Sequence, residues 1–94
     1  MLNNAQRRRR HKFDRQFGRC HWCGCQMSMD PIKPNGKANP LYATFEHLQR
    51  RKDGGNGKPM NVVLAHASCN RERETPRFEM HVANMKAFLG EKRC

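Results

Sequence analysis

The chain has 94 residues, of which 36% are hydrophobic, and a net charge of +11. This length allows one small domain, residues 1–94, whose apolar core is too small to be comfortably stable alone. No apolar run approaches the ~20 residues that span a bilayer, and five cysteines without an apolar segment at Met1 argue against a secreted disulfide framework.

The first predicted element is a basic helix over residues 3–17, which forms an N-terminal arm. Phe13 and Phe17 lie four residues apart and are expected to anchor one face, and Gly18 is the expected helix stop. Residues 1–19 hold seven Lys or Arg against one acid, a local net charge of +6. Because phosphate backbones attract such charge, a polyanionic partner is favoured. A membrane-surface helix is the weaker alternative, since the arginine run lacks apolar residues at helical spacing.

Two short-spaced pairs of metal-type residues come next. Cys20 and Cys23 form the first pair, followed by Gly24, which allows a tight backbone turn. His66 and Cys69 form the second pair, and 42 residues separate the two pairs. Structural zinc is commonly held by two such pairs. The spacing therefore predicts a Cys3His zinc site that clamps two distant segments and adds stability.

Two neighbours leave this ligand set open. Cys25 could replace Cys23 or remain free, and His21 could also compete for the metal. Cys94, at the end of the chain, is predicted to be a free thiol. Catalytic zinc is not expected, because four protein ligands leave no open position on the ion.

The central part of the chain predicts an irregular segment and then two strands. Residues 26–42 are rich in turn-forming dipeptides. Residues 42–48 and 62–65 have the aromatic and β-branched composition of strands. The polar, Gly-rich residues 49–60 between them are too long for a tight hairpin turn.

Two helices are predicted after the strands. Ser68 is expected to cap a helix that runs to about Glu74, and Thr75-Pro76 is expected to start a last helix over residues 76–90. In that helix an apolar stripe at helical spacing predicts a core-facing side, made of Phe78, Val82, Met85 and Leu89.

One ordered set of motifs carries a family resemblance. After the Cys20/Cys23 pair come Glu46-His47, Gly54-Gly55, Asn61-Val62-Val63-Leu64 and Cys69-Asn70. In this order and spacing, residues 19–75 resemble the HNH endonuclease family, in its zinc-bearing branch with Asn in the third motif position. Two positions depart from the family pattern, His66 where many relatives carry Cys and Glu46 where Asp is commoner.

The resemblance implies a fold and a set of roles. The fold is α+β: a small ββα-metal (His-Me finger) core with a structural zinc knuckle, flanked by N- and C-terminal helices. His47 would be the general base that deprotonates the attacking water. Glu46 and Asn70 would hold a catalytic Mg²⁺ or Mn²⁺ ion, and Asn61 would brace the loop. Neighbouring strand residues point to opposite faces, so Glu46 and His47 can share a site only if the strand ends or bulges there.

The implied function is hydrolysis of DNA phosphodiester bonds. Six arginines are expected to contact nucleic acid, namely Arg7, Arg8, Arg9, Arg10, Arg71 and Arg73. The expected partner is double-stranded DNA rather than a membrane, with a homodimer or a larger nuclease or packaging assembly left open. The expected location is the cytoplasm of a bacterium or phage-infected host cell. Two alternatives remain: a non-catalytic zinc-stabilised DNA-binding module and an accessory nicking subunit of a larger assembly.

Overall fold

The computed structural model describes residues 3–49, 54–58, 61–90 and 94. Within these ranges the elements in chain order are α1 (Asn4–Arg15), β1 (Ala43–His47), β2 (Val62–His66), α2 (Ala67–Glu72) and α3 (Phe78–Leu89). The strands pair antiparallel, and α2 follows β2 directly. The predicted α+β class, a small ββα core flanked by N- and C-terminal helices, is confirmed.

The strand pair agrees with the sequence prediction to within a residue at each end. Ala43 lies opposite His66 and His47 lies opposite Val62, so β1 is regular to its last residue. Residues 26–42 contain no helix and neither of the two strands. They contain isolated β-bridges, such as that between Ser28 and Tyr42. Part of the predicted loop, residues 50–53 and 59–60, lies outside the described residues.

Helix α1 has a clear start and stop. Asn3 and Gln6 form a reciprocal capping box at its N-terminus. The chain then turns through two left-handed residues, Phe17 at φ 55° and Gly18 at φ 71°. Phe13 packs against the core, but the prediction for Phe17 is wrong: its side chain is 83% exposed. The left-handed backbone takes Phe17 off the helical face that carries Phe13.

Helix α2 begins without a side-chain cap. The Ala67 N–H donates to the Tyr42 carbonyl (2.9 Å) and the Ser68 N–H donates to the Pro40 carbonyl (3.1 Å). Backbone carbonyls thus satisfy donors that a cap would otherwise serve. The predicted capping role of Ser68 is therefore wrong, and Ser68 is a buried residue inside α2.

Helix α3 starts at Phe78 rather than at Pro76. The Thr75 hydroxyl donates to the Glu72 carbonyl (2.9 Å) and accepts from the Arg77 N–H (3.2 Å), which makes a separate turn before the helix. The apolar stripe faces the core as predicted: Met85 is buried and Val82 packs beside it. No helix among the described residues is long and apolar enough to cross a membrane.

The core is small and dominated by sulfur. Within the described ranges, the large apolar side chains that are buried are Met27, Leu64 and Met85. The other buried apolar residues are alanines and cysteines, Ala43, Ala65, Cys20, Cys23, Cys25 and Cys69. His66 is fully buried among them. The centre of the fold is therefore also the place where the predicted metal ligands lie.

Candidate metal centre and candidate nucleic-acid site

Two segments bring the four predicted ligands together. Cys20 and Cys23 lie in a turn closed by a hydrogen bond from the Gly24 N–H to the Cys20 carbonyl (2.9 Å). His66 ends β2, and Cys69 lies in the first turn of α2. All four side chains are buried, and their ligand atoms lie within 4.8 Å of one another.

The distances fit a tetrahedral ion. The Cys23 Sγ and Cys69 Sγ atoms lie 3.3 and 3.7 Å from His66 Nδ1. Zn–S and Zn–N bonds at a tetrahedral angle would place the sulfur and nitrogen about 3.6 Å apart. Three thiols and one imidazole can therefore hold a metal such as zinc, and closing the shell would take small movements only.

Neighbouring groups orient these ligands. His66 Nε2 lies 2.8 Å from the Gln26 carbonyl, to which it can donate, and this leaves Nδ1 directed at the cysteines. The Cys20 Sγ accepts from the Trp22 and His66 N–H groups, each at 3.4 Å. Such an arrangement fixes the imidazole tautomer that a metal requires and supports negative charge on sulfur.

The pKa values within the cluster are strongly perturbed. The hydrogen bond from the Cys23 thiol is the main reason why the pKa of Cys20 falls far below its ordinary value, whereas hydrogen bonding to Cys20 raises that of Cys69. Burial opposes the charged form of His66, but hydrogen bonds to Cys20 and Cys23 outweigh it and raise the pKa of His66 to about 10.

The positions of Cys25 and His21 in the fold decide whether either of them belongs to the metal-ligand set. Cys25 forms a disulfide with Cys94, 69 residues further along the chain, so the prediction of a free Cys94 thiol is wrong. Folding brings the chain end against Cys25, which the sequence spacing did not indicate. His21 is exposed and stacks edge-on against Trp22, with 4.7 Å between ring centroids. Neither Cys25 nor His21 belongs to the four-residue cluster.

The candidate catalytic residues lie beside this cluster, on β1 and α2. Asn70 Nδ2 donates to Thr44 Oγ1 (2.6 Å), and Thr44 Oγ1 itself donates to the Ala65 carbonyl (3.0 Å). With the hydroxyl proton committed to Ala65, Asn70 must present its amide N–H₂ to Thr44. Asn70 Oδ1 is then left buried, with no hydrogen-bond partner among residues 3–49, 54–58, 61–90 and 94.

Glu46 lies two residues after Thr44 and so shares its face of β1. Arg73 Nη1 lies 3.0 Å from Glu46 Oε1, and the two side chains are only 19% and 15% exposed. Arg73 also donates to the carbonyls of His47 (2.7 Å) and Leu48 (2.9 Å). Its guanidinium lies 4.5 Å from the centroid of the Trp22 ring. Arg73 thus connects α2 and the end of β1 to the turn that carries Cys20 and Cys23.

His47 lies on the other side of the strand. Phe45 faces α1, where the Arg8 and Arg9 guanidinium groups lie over its ring at 5.8 and 4.9 Å. Alternate strand residues share a face, so His47 is on the α1 side with Phe45. The structure therefore brings Glu46 and Asn70 to one face of β1 and leaves His47 on the opposite face, half-buried.

The surroundings of His47 are strongly basic. Lys12 Nζ donates to the carbonyl of Val62, the residue opposite His47 in the sheet, at 2.8 Å. Burial lowers the pKa of Lys12, and the charges of Arg15 and Arg8 lower it further. This side of the sheet therefore attracts anions.

Asn61 fixes the chain just beyond β1. Its Oδ1 accepts from the Gln49 N–H (2.7 Å), and its Nδ2 donates to the carbonyls of Gln49 (3.0 Å) and Asn56. The Leu48 N–H donates to the Asn61 carbonyl (2.8 Å). These bonds hold the two ends of the loop together next to His47.

The six candidate nucleic-acid contacts have different surroundings. Arg7, Arg10 and Arg71 are exposed, whereas Arg9 lies over the rings of Tyr42 and Phe45. Arg73 is enclosed by its contacts with Glu46 and Trp22. Sequence reasoning missed Trp22, which carries no periodic signal, and Thr44, which the alternation of β1 could have placed on the face of Glu46.

A comparison with protein-family models finds no match, and a comparison with curated proteins finds none either.

Proposed function

We propose that the chain is a metal-dependent endonuclease of the HNH type that hydrolyses DNA phosphodiester bonds, with its fold held by zinc at Cys20, Cys23, His66 and Cys69. In this proposal Glu46 and Asn70 hold the catalytic cation. A bound Mg²⁺ or Mn²⁺ ion would stabilise the charge that develops on the phosphate oxygens. His47 takes the proton of the attacking water, and Asn61 holds the loop beside it.

The observation that carries the proposal is the unpartnered Asn70 Oδ1. A buried amide oxygen without a donor costs about 1–3 kcal/mol. It lies on the same face of β1 as the Glu46 carboxylate, and oxygen ligands of these two kinds suit a hard divalent cation. A purely structural role for Asn70 would require only its hydrogen bond to Thr44. That bond uses Asn70 Nδ2 and gives Asn70 Oδ1 nothing to do.

Arg73 supports the same interpretation of the face of β1 that carries Glu46. Its guanidinium now neutralises Glu46 and would have to move aside, or share the carboxylate, when a cation binds. The Glu46 carboxylate is thus already paired with a positive charge. Arg73 also binds the carbonyls of His47 and Leu48, so it can keep the strand end in place while the carboxylate changes partner.

The test is cleavage of supercoiled plasmid by the zinc-loaded protein in Mg²⁺ or Mn²⁺. His47→Ala should lower the cleavage rate about 10²–10⁴-fold, the usual contribution of a general base. His11→Ala is the matched control, because His11 is an exposed histidine on α1. Equal rates for the His47 variant and the parent protein would overturn the assignment of the base.

A second candidate function follows from the Glu46–Arg73 ion pair. If that pair is permanent, the carboxylate is not available to a cation and the domain is a non-catalytic zinc-stabilised DNA-binding module. Glu46→Gln separates the two functions. A nuclease should lose Mn²⁺ binding and cleavage, whereas a binding module should bind DNA more tightly, because Arg73 is released to contact phosphate. Cleavage that appears only in a larger assembly would favour the accessory nicking subunit.

A further inference from the structure

A cavity lies between α1 and the segment that leads into β1, away from the Glu46 and Asn70 face. Its volume is about 240 Å³, the space of about eight water molecules at roughly 30 Å³ each. We call it the α1 pocket, and its lining residues are Gln6, Arg9, Arg10, Met29, Pro31 and Tyr42. None of these residues belongs to the motifs that carry the HNH resemblance.

Arg9 is held in a fixed position in this pocket. Its guanidinium lies 5.0 Å from the centroid of the Tyr42 ring and 4.9 Å from that of Phe45. Such contacts hold the cation in place but offer no hydrogen-bond acceptor. Arg9 Nε is buried and has no hydrogen-bond partner within the described part of the chain. The pocket therefore contains a pre-positioned donor that an anion would satisfy.

The charge around the pocket is only weakly neutralised. Arg10 pairs with Asp14 at 3.4 Å, but both side chains are about 60% exposed, so the pair is weak and screened by solvent. Helix α1 has no acidic residue in its first turn. An anion at the pocket would thus meet two guanidinium groups and, among the lining residues that the structure describes, no opposing carboxylate.

The remaining walls suit a flat apolar group. Met29, Pro31 and the Tyr42 ring form them, and the backbone behind them is firmly held. The Ala43 N–H donates to the Ser28 carbonyl, and the Ser28 N–H donates to the Leu41 carbonyl, both at 2.8 Å. A fixed apolar wall beside a fixed cation fits a group that is both planar and anionic.

We propose that the α1 pocket binds one nucleotide unit, with its phosphate on Arg9 and Arg10 and its base against Met29, Pro31 and Tyr42. The proposal rests on the nucleic-acid partner of the proposed function but not on cleavage. An unstacked base is required, so the occupant is a nucleotide from a single-stranded or locally opened segment, or a free mononucleotide with the same chemistry. Tyr42 and His47 are five residues apart, roughly 16 Å along an extended strand. A strand seated in the pocket can therefore run along β1 toward His47.

The experiment is a titration of the ¹⁵N-labelled, zinc-loaded full chain with thymidine 5′-monophosphate, followed on the arginine Nε–H signals. The Arg9 signal should shift saturably. Inorganic phosphate should shift it more weakly, and uncharged thymidine should bind at least tenfold more weakly than the monophosphate. Tetrathymidylate distinguishes the sources: tighter binding than the monophosphate identifies a nucleotide within a strand, and equal binding identifies a free nucleotide.

Two substitutions on one helix make the test specific. Arg9→Gln should weaken monophosphate binding at least tenfold, whereas Arg15→Gln, which removes the same charge from an exposed position on α1 outside the pocket, should change it by twofold or less. If Arg9→Gln does not fold, Arg10→Gln leaves the ring contacts of Arg9 intact and should still weaken binding several-fold. Equal losses for the Arg15 and Arg9 variants, or an Arg9 Nε–H signal that does not move, would overturn the pocket and leave a general electrostatic attraction. Loss of plasmid cleavage by itself would leave these binding results unchanged.

Discussion

Removal of the metal should unfold the domain rather than merely inactivate it. The buried core of the described residues contains three large apolar side chains, Met27, Leu64 and Met85. Their burial contributes about 4.5–9 kcal/mol together, at roughly 1.5–3 kcal/mol each. A structural zinc site contributes about 10–16 kcal/mol. The metal term is therefore the larger one, and four of the buried residues in that core are its candidate ligands.

The loss should be greater than the metal term alone, because the apo cluster is poorly suited to burial. Without an ion, three thiols and an imidazole remain enclosed, with their ligand atoms within 4.8 Å of one another. The Cys20 Sγ accepts from backbone N–H groups that favour its anionic form. Burying that charge without a cation is unfavourable. We therefore expect the apo chain to lose the packing of β2 and α2 against the turn that carries Cys20 and Cys23.

The assay is circular dichroism and thermal unfolding with and without a strong zinc chelator. Cys69→Ala should behave like the chelated protein. Ser68→Ala is the matched control, since Ser68 is the buried neighbour in α2 and its hydroxyl makes only a weak contact with the Met85 sulfur at 3.9 Å. A native-like spectrum and an unchanged thermal midpoint in chelator would refute the reasoning.

Three smaller perturbations test other parts of the fold by urea unfolding. Leu64→Ala should cost about 2–5 kcal/mol, because the fully buried side chain leaves a cavity; a loss below about 1 kcal/mol would mean that the site collapses. Gly18→Ala should lower the free energy of unfolding by about 1–2 kcal/mol through backbone strain, and further through a clash with the Gln26 side chain. Gly36→Ala is the control, because Gly36 is also at positive φ but has open space around it, so this variant measures the strain alone. Equal losses at the two glycines would exclude the clash. Cys94→Ser should cost up to about 4 kcal/mol, the chain-entropy value for a loop of this length, and unchanged stability would mean that the chain end contributes nothing.

The metal cluster and the ββα unit could be predicted because each rests on local spacing. Cys20 and Cys23, like His66 and Cys69, are separated by two residues, and one turn of backbone then places both side chains on one ion. Strand composition located β1 and β2 to within a residue. These features depend on neighbours in the chain, so the chain order reveals them.

The features that could not be predicted depend on how distant segments dock. The disulfide between Cys25 and Cys94 closes 69 residues, and nothing local to either cysteine indicates its partner. The exposure of Phe17 follows from a left-handed residue that the helical pattern does not show. Ser68 does not cap α2, because the carbonyls of Pro40 and Tyr42 accept hydrogen bonds from the first N–H groups of that helix.

The position of Arg9 illustrates the same limit and bears on function. In the sequence it is one of four consecutive arginines with nothing to separate it from Arg7. In the fold, α1 lies against β1, and this sets Arg9 over two aromatic rings while Arg7 stays in solvent. A charge run that reads as a uniform phosphate anchor therefore contains side chains with different roles.

Strand β1 is the element on which the proposed chemistry depends most. It presents Glu46 to α2 and His47 to α1, so the proposed cation ligand and the proposed base lie on opposite faces of a two-stranded sheet. Both can act on one phosphate only at the strand end, where the chain leaves the sheet after His47 and where Arg73 holds the His47 and Leu48 carbonyls. Arg73→Lys keeps a positive charge near Glu46 but cannot reproduce the forked contacts of the guanidinium with both carbonyls. We expect this variant to keep Mn²⁺ binding within a few-fold of the parent protein and to lose cleavage more than tenfold. Equal retention of both would show that the strand end needs no such support.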